Sequence, residues 1–287
     1  DAMTDYYDIN LKKSRLKLLC ENTNFCNYTG LVQDTKLLNE ICSKHKPNII
    51  IHLAAQAGVR YSLINPKKYV NVNIFGFLNI IELAKDKKIK KFIYASSSSV
   101  YGENKKFPLS ENQRLNPKNI YGLSKQMNEQ IASMYSKFFD LKCIGLRFFT
   151  IYGEWGRPDM FLFKLFKASQ QSKKFYLNNY GNHKRDFTYV KDAVKIVLKL
   201  INYKIVNNEI FNICSNKPIK ILDIIKYFKK KNNVEVKLTE MHNADVKDTH
   251  GDNKKIKKAL KRIKFNKFYR CFDTTYEWYK KNNISKI

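Results

Sequence analysis

Residues 91–99 read KFIYASSSS, a short apolar run that ends in four consecutive serines. The run is too short for a core helix and contains several β-forming residues, so it predicts a buried strand over Lys91–Ser96. Runs of the same kind predict further strands at Asn48–Leu53, Lys142–Phe149 and Glu209–Cys214. These segments decide the fold, because the chain between them has to connect buried strands.

Longer segments with helical periodicity separate the first strands. They cover Thr35–His45, Pro66–Lys87 and Ile120–Phe139. Strands that alternate with helices predict an α/β fold, with a doubly wound, Rossmann-like parallel sheet covered on both faces. Ligands bind such sheets beyond the carboxyl ends of the strands. The hydroxyl-rich residues Ser96–Ser99 therefore lie where a ligand is expected.

The regular alternation weakens after residue 152. Gly, Pro, Trp and Asn cluster in YGEWGRPDM (152–160) and LNNYGNHKRD (177–186), which predicts loops of a smaller α+β domain facing the substrate. We expect residues 1–152 with about 187–213 to form the larger domain, and residues 153–186 with about 214–287 the smaller one.

The composition favours a cytoplasmic globular protein. The chain has 287 residues, 44% of them hydrophobic, which is enough for a large core. Apolar runs stay below the roughly 18 residues that a membrane helix needs, and the first residues do not resemble a secretion signal. The six cysteines and five histidines show no spacing typical of disulfide frames or metal sites. We therefore expect reduced thiols and no metal.

The formal net charge is +29, with 54 Lys and Arg residues against 25 Asp and Glu. Such a charge favours an anionic partner, but the lysines are spread over the whole length, which is more typical of compositional bias than of one binding surface. We therefore expect neither a nucleic-acid nor a membrane partner. The densest basic segment, Lys254–Lys264, has Ile256, Leu260 and Ile263 at helical spacing and predicts a surface helix with one buried face.

A second candidate for chemistry is YGLSK, residues 121–125, at the start of the third predicted helix. Tyr121 and Lys125 are four residues apart and share a helix face. An ammonium close to a phenol is expected to lower the pKa of the tyrosine, so that it can act as a general base. The pair alone also fits an ordinary helix face. Together with serines at a strand end, it favours proton removal from an alcohol while a hydride leaves the same carbon.

Several motifs occur in order over almost the whole chain. They are HLAAQAGVRYS (52–62), NPKKYVNVNIFGFLNIIELAK (65–85), ASSSSVYG (95–102), YGLSK (121–125), LRFFTIYGEWGRPDM (146–160) and RDFTYVKD (185–192). With these motifs the chain resembles the extended short-chain dehydrogenase/reductases, and most of all the nucleotide-sugar epimerases that act on UDP-glucuronate. The resemblance implies an NAD-dependent enzyme that converts UDP-glucuronate to UDP-galacturonate through a transient 4-keto sugar, for polysaccharide biosynthesis.

The resemblance also implies roles for single residues. Tyr121 would take the proton of the sugar's 4-hydroxyl, Lys125 would hold the phenolate and the nicotinamide ribose, and Ser97 would orient the 4-oxygen. The residues implied for NAD are Asp1, Leu53, Ala54, Ala55, Gln56, Asn73, Ser96, Tyr121, Lys125 and Phe148. The residues implied for the UDP-sugar are Ser97, Ser98, Ser99, Thr150, Arg157, Asn178, Asn179 and Arg185.

Two arginines carry the implied specificity for an anionic substrate. Arg157 would meet the glucuronate carboxylate, whose two oxygens match a guanidinium fork, and Arg185 would hold the diphosphate. The alternative for each arginine is a structural ion pair, of Arg157 with Asp159 or of Arg185 with Asp186.

Ser98 and Ser99 bear on the type of reaction. The related sugar-nucleotide dehydratases and decarboxylases have acidic residues directly before the VYG, so hydroxyl groups at these positions favour epimerisation. Two alternatives stay open: a UDP-galactose type 4-epimerase, or a non-catalytic module that binds a nucleotide or RNA on the same scaffold. The resemblance further implies a homodimer through Pro66–Lys87 and Ile120–Phe139.

The glycine-rich GxxGxxG turn of the family does not occur in this sequence, whose ten glycines are dispersed. The resemblance therefore implies a Rossmann-like domain without its first strand and helix, as in a family member that lacks roughly 30 N-terminal residues. Asp1 would then be the acidic residue at the end of the second strand, which contacts the adenosine ribose.

Overall fold

The structure is a computed structural model that describes residues 1–284. Its strands are β1 (Ile49–His52), β2 (Lys91–Ser97), β3 (Cys143–Phe148), β4 (Thr150–Tyr152), β5 (Phe175–Leu177), β6 (Lys184–Tyr189), β7 (Asn208–Ile213), β8 (Pro218–Lys220) and β9 (Val236–Leu238). Its α-helices are α1 (Ile9–Cys20), α2 (Thr35–His45), α3 (Tyr61–Ile64), α4 (Pro66–Tyr69), α5 (Gly76–Asp86), α6 (Ile120–Phe139), α7 (Phe161–Gln170), α8 (Val190–Ile201), α9 (Ile221–Lys229), α10 (Lys254–Leu260) and α11 (Phe268–Lys281).

The main sheet has the strand order β1-β2-β3-β7, and all of its neighbours are parallel. One face is covered by α5 and α6, where Phe77 and Ala132 belong to the same buried cluster as Tyr94. On the other face α8 and α10 pack against the sheet, with Ile196 and Ile256 in their shared core. The predicted parallel, Rossmann-like α/β fold is confirmed.

The predicted strands and helices agree with the observed ones to within a few residues, apart from two local differences. The predicted helix Pro66–Lys87 is divided into α4, a π-helical stretch Val70–Phe75 and α5. Along the basic segment the helix α10 ends at Leu260, because Lys261 and Arg262 have left-handed φ angles of 40° and 51°. The apolar face of that segment is buried as predicted, at Ile256.

A second core lies outside the main sheet. It combines α7, α9 and α11 with the small sheets β4-β6-β8 and β5-β9. Phe166 is fully buried at its centre, and its ring packs against Phe272 and Tyr276. The predicted division of the chain into two domains, with its boundaries, stays a prediction.

Helices that could cross a bilayer are absent from residues 1–284. The cytoplasmic location expected from the composition stays a prediction. Beyond the carboxyl ends of β1, β2 and β3 the structure opens into a cavity of about 1670 Å³, bordered on its far side by β5 and α7.

Candidate active site

The serine segment turns sharply where β2 ends. The Ser97 hydroxyl accepts a hydrogen bond from the Ser99 amide at 3.1 Å, which caps a short 3-10 turn over Ser98–Tyr101. The turn ends at Gly102, where φ is 63° and a β-carbon would lie 1.7 Å from the Asn116 carbonyl oxygen. Glycine is required there for both reasons. The three serines Ser97, Ser98 and Ser99 therefore line the cavity instead of continuing the sheet.

The start of α6 is brought against this turn. Asn119 caps the helix, because its side-chain oxygen accepts a hydrogen bond from the Gly122 amide at 2.9 Å. A β-carbon on Gly122 would lie 2.5 Å from the Ser99 carbonyl oxygen, so only glycine permits this approach. As a result Tyr121, the neighbour of Gly122, faces the same cavity as the serines.

Lys125 is a buried cation one turn along the same helix. Its Nζ donates to the Ala95 carbonyl oxygen on β2 at 2.8 Å, and the residue is only 3% exposed. Burial lowers the pKa of the ammonium to about 8. Within residues 1–284, Ala95 supplies its only hydrogen-bond acceptor, so protons of the ammonium remain available to a ligand.

The prediction that Lys125 lowers the pKa of Tyr121 is wrong for this structure. The pKa of Tyr121 is raised, because burial disfavours the phenolate more than a hydrogen bond with Ser97 and the nearby charge of Arg157 favour it. Arg157, not Lys125, is therefore the cation that acts on the phenol. The linear sequence places the lysine close by, but its ammonium is directed to the Ala95 carbonyl.

One cavity collects the predicted site residues. Its lining includes Asp1, Leu53, Ala54, Ala55, Gln56, Ser96, Ser97, Ser98, Ser99, Tyr121, Lys125, Phe148, Thr150, Arg157, Asn178, Asn179 and Arg185. Motifs that are far apart in the chain thus meet at one place. Their individual roles stay predictions.

Asn73 is the predicted site residue that does not line the cavity. It is 2% exposed and lies within the π-helical stretch. Its side-chain oxygen accepts from the Gln56 amide at 2.7 Å, and its side-chain nitrogen donates to the Gln56 carbonyl and the Ser124 hydroxyl, each at 3.0 Å. In this structure Asn73 thus holds the Gln56 loop against α6, and its contact with NAD stays a prediction.

The two arginines differ in what they bind. Arg157 forms the structural ion pair considered as its alternative, with Nε and Nη2 donating to Asp159 at 2.9 and 3.0 Å. Arg185 does not pair with Asp186. It donates instead to the carbonyl groups of Lys184, Val246 and Lys247. The Asp186 carboxylate accepts from the amides of Ser215, Asn216 and Gly251.

Sequence reasoning missed an aromatic and acidic wall beside Arg157. The Tyr6 hydroxyl lies 3.4 Å from the second carboxylate oxygen of Asp159, and its ring centroid is 5.3 Å from that of Tyr61. All three residues line the cavity. Tyr6 belongs to the opening stretch DAMTDYYDINLKKSRL, over which the chain already resembles the family, but it was not among the predicted site residues. The fold brings it to the cavity together with Asp1, Ala2, Thr4 and Tyr7.

The end of the cavity around Lys125 fits a ribose of NAD by its donor chemistry. Lys125 retains protons for ribose hydroxyls, and Phe148 and Ser96 lie at neighbouring strand ends. At the opposite end the Asp1 carboxylate lines the cavity and accepts from the Met3 amide at 2.8 Å. The remaining residues that would hold the dinucleotide are Leu53, Ala54, Ala55 and Gln56, which follow β1.

The buried ammonium generates a pH-dependent stability. Its pKa is about 8 in the folded protein against 10.5 ordinarily, so between these values the unfolded chain binds more protons and the free energy of unfolding rises with pH. We compare the free energy of unfolding of the wild type with that of Lys125→Met. The difference should rise by roughly 2 kcal/mol from about pH 7.5 to 10. Urea titrations at several pH values measure this difference. Lys137→Met, at an exposed position of the same helix, serves as control and should show no such trend. If the difference between wild type and Lys125→Met does not change with pH, the pKa of Lys125 is not lowered.

Comparisons with known proteins place the chain in a family. The sequence pattern of the NAD dependent epimerase/dehydratase family matches residues 8–214. An uncharacterised protein of Methanocaldococcus jannaschii is 42% identical, covering 91% of this chain and 80% of its own length. A probable UDP-glucuronate 4-epimerase of Rhizobium meliloti is 42% identical over 70% of this chain and 59% of its own.

Among solved structures, the UDP-glucuronic acid 4-epimerase of Bacillus cereus in complex with UDP-glucuronic acid and NAD superimposes with a TM-score of 0.93. It is 28% identical in sequence, and the match covers 98% of this chain and 90% of that one. The chain therefore belongs to the NAD dependent epimerase/dehydratase family, which confirms the predicted family, the dependence on NAD and the prediction that the protein is an enzyme.

Proposed function

We propose that the protein is a UDP-sugar 4-epimerase that interconverts UDP-glucuronate and UDP-galacturonate. The observation that carries this proposal is the meeting of Ser97, Tyr121 and Lys125 in one cavity that is also lined by Arg157. Hydroxyl, phenol and ammonium suit proton removal from an alcohol, and the guanidinium suits a carboxylate on the same sugar. The names of the similar Rhizobium and Bacillus proteins agree with it.

The residues would divide the reaction between them. The Tyr121 oxygen takes the proton of the sugar's 4-hydroxyl and later returns it, and the Ser97 hydroxyl orients the same oxygen. Lys125 holds the ribose of the cofactor next to the reacting carbon. NAD, when bound, supplies the hydride acceptor and donor for carbon 4. Return of the hydride to the opposite face of the sugar would give net inversion at carbon 4.

Proton transfer depends on the charges near Tyr121. Burial raises the pKa of Tyr121, whereas hydrogen bonding with Ser97 and the charge of Arg157 lower it. A general base works best when its pKa is close to the working pH. Arg157 would therefore serve both the binding of the uronate and the ionisation of the phenol.

Arg157 has a donor left for a substrate although it is paired. Asp159 takes the Nε and Nη2 edge of the guanidinium, and Met160 Sδ also lies near Nη2. Within the described chain Nη1 has no hydrogen-bond acceptor, and the side chain is 29% exposed. A carboxylate on the sugar would bind there. The neutralising pair with Asp159 also suits an uncharged sugar, which keeps the UDP-galactose type epimerase as second candidate.

The remaining contacts extend along the cavity. Arg185, fixed by three carbonyl groups, would hold the diphosphate, and Asn178 and Asn179 would meet the uridine. Thr150 would face the sugar. Hydroxyl groups at Ser98 and Ser99, in place of acids, favour epimerisation over dehydration. Membership of an enzyme family argues against the non-catalytic module.

A second copy of the chain would form a homodimer through the segments Pro66–Lys87 and Ile120–Phe139. Along α6 the side chains of Leu123, Met134 and Phe138 are 43%, 51% and 65% exposed and lie on one stripe. The segment Pro66–Lys87 exposes Val70 and Phe75, by 48% and 52%. Apolar patches of this kind mark interaction sites in proteins.

Removal of the phenolic oxygen should abolish turnover. With NAD and UDP-glucuronate, Tyr121→Phe should reduce the rate of UDP-galacturonate formation by about 10²- to 10⁴-fold, because it removes the proposed general base. Chromatographic separation of the two sugars measures this rate. Tyr135→Phe, on the same helix but hydrogen-bonded at the surface to Glu82, should retain activity. Near-normal turnover of Tyr121→Phe would refute the role of the phenol.

Arg157→Gln tests the nature of the sugar. We expect kcat/KM for UDP-glucuronate to fall by about 10- to 100-fold, the value of hydrogen bonds to a charged group, with a much smaller change for UDP-galactose. Steady-state kinetics on both substrates supply the ratio, and the exposed Arg114→Gln is the control. An equal loss on both sugars would favour the UDP-galactose type enzyme.

The oligomeric state tests the apolar stripe. The wild type should sediment at twice the chain mass of 33.9 kDa, and Phe138→Glu should sediment as a monomer because it places a charge on the proposed interface. The matched change Val206→Glu, at a side chain that is 76% exposed and outside both proposed interface segments, should leave the dimer intact. A monomeric wild type at micromolar concentration would contradict the proposal.

A further inference from the structure

A buried ion pair lies directly beneath the candidate active site. Arg147 on β3 and Glu129 on α6 form two parallel hydrogen bonds, from Nε to Oε1 at 2.9 Å and from Nη2 to Oε2 at 2.7 Å. The two side chains are only 5% and 8% exposed. Neither residue lines the cavity, so neither can touch a ligand there.

Further hydrogen bonds extend the pair in both directions. The Ser96 hydroxyl at the end of β2 donates to Oε1 of Glu129. On the other side Nη1 of Arg147 donates to the Tyr101 hydroxyl at 2.9 Å. The Tyr101 hydroxyl in turn donates to the side-chain oxygen of Asn212 on β7, at 2.7 Å. The network therefore joins β2, β3, β7, α6 and the turn that follows the serines.

The position of this network determines where the site residues can lie. Lys125 donates to the carbonyl of Ala95, and one helical turn later Glu129 accepts from the side chain of Ser96. The helix α6 is thus attached to β2 at two successive residues, immediately before Ser97. Arg147 attaches the neighbouring strand β3 to the same point of α6, since it is the register partner of Ser96 and donates to Glu129.

Stability alone does not explain a charged pair at this depth. Removing two charges from water is costly, and apolar side chains of similar volume often replace a buried ion pair without loss of stability. A bidentate pair differs from apolar packing in fixing distance and orientation. Small displacements of reacting groups are costly to catalysis, at about 10²-fold for 1 Å.

We propose that Glu129 and Arg147 are positioning residues, which hold Ser97 on β2 at the working distance from Tyr121 and Lys125 on α6. The proposal rests on the proposed function for the chemistry that these three residues carry out. It concerns the geometry of the site and does not depend on which UDP-sugar is used.

The double change Glu129→Leu with Arg147→Met tests the proposal, because it removes both charges together and leaves no unpaired one. We expect a urea midpoint close to that of wild type, a fall in kcat of about 10- to 100-fold, and a KM for UDP-glucuronate within about threefold. The milder change Glu129→Asp keeps the charge but shortens the reach toward Arg147 and Ser96. It should lower kcat in the same direction, and it serves as the test if the double variant does not fold.

A second measurement does not require turnover. The free energy of unfolding with Lys125 and with Lys125→Met is compared again over pH 7.5 to 10, now in the background of the double variant. The rise of this difference with pH is called the Lys125 signal. If α6 shifts against β2, the ammonium is less buried and its pH-dependent stability should shrink. As matched control, Leu165→Ala lies in the second core, where the side chain is fully buried. It should lower the urea midpoint while kcat and the Lys125 signal stay unchanged.

The outcomes separate the two hypotheses. A stable double variant with unchanged kcat and an unchanged Lys125 signal overturns the positioning role. A wild type that turns over neither UDP-glucuronate nor UDP-galactose contradicts the proposed function alone. The Lys125 signal then tests whether Glu129 and Arg147 position α6 against β2. A fall in kcat explained entirely by loss of folded protein, as the urea curves would reveal, also counts against positioning.

Discussion

The parallel pairing of β1, β2 and β3 is the constraint on which the rest of this structure depends. Parallel strands end at the same edge of a sheet, so the residues that follow each strand are brought together although they are far apart in the chain. Here the Leu53–Gln56 loop, the serine turn and Phe148 meet in this way. The helix α6 completes the arrangement, because Gly122 allows it to touch the carbonyl of Ser99.

The charges in the site are controlled by burial as much as by partners. Lys125 is buried against a neutral carbonyl, which lowers its pKa to about 8 and directs it away from a simple ion pair with Tyr121. Arg157 is balanced by Asp159 and acts on Tyr121 through space. Beneath both, the pair of Glu129 and Arg147 is saturated with hydrogen bonds. The charged groups that line the cavity thus lie above a buried ion pair that is fixed by hydrogen bonds.

Much of the fold was predictable because the central strands β2 and β3 are buried on both faces, whereas the edge strand β1 is partly exposed at Ile51. Continuous apolar runs such as KFIYAS mark such strands, and the helical periodicity between them identifies the crossovers. The break at Val70–Phe75 was not predictable, since the π-helical stretch coincides with hydrogen bonds from Asn73 to the distant Gln56 loop. The early end of α10 at Leu260 was also missed, because Lys261 and Arg262 carry no glycine signal for their left-handed backbone.

The sequence by itself determined the strand positions, because these depend on periodicity, and it suggested most of the predicted site residues through the resemblance of its motifs to a family. Only the tertiary structure decided which atoms meet. It placed Tyr6 beside Asp159, directed Lys125 to Ala95, left Arg185 without Asp186, and joined Glu129 to Arg147. Contacts of this kind join segments distant in sequence, and hydrogen-bond geometry, which no local pattern encodes, selects them.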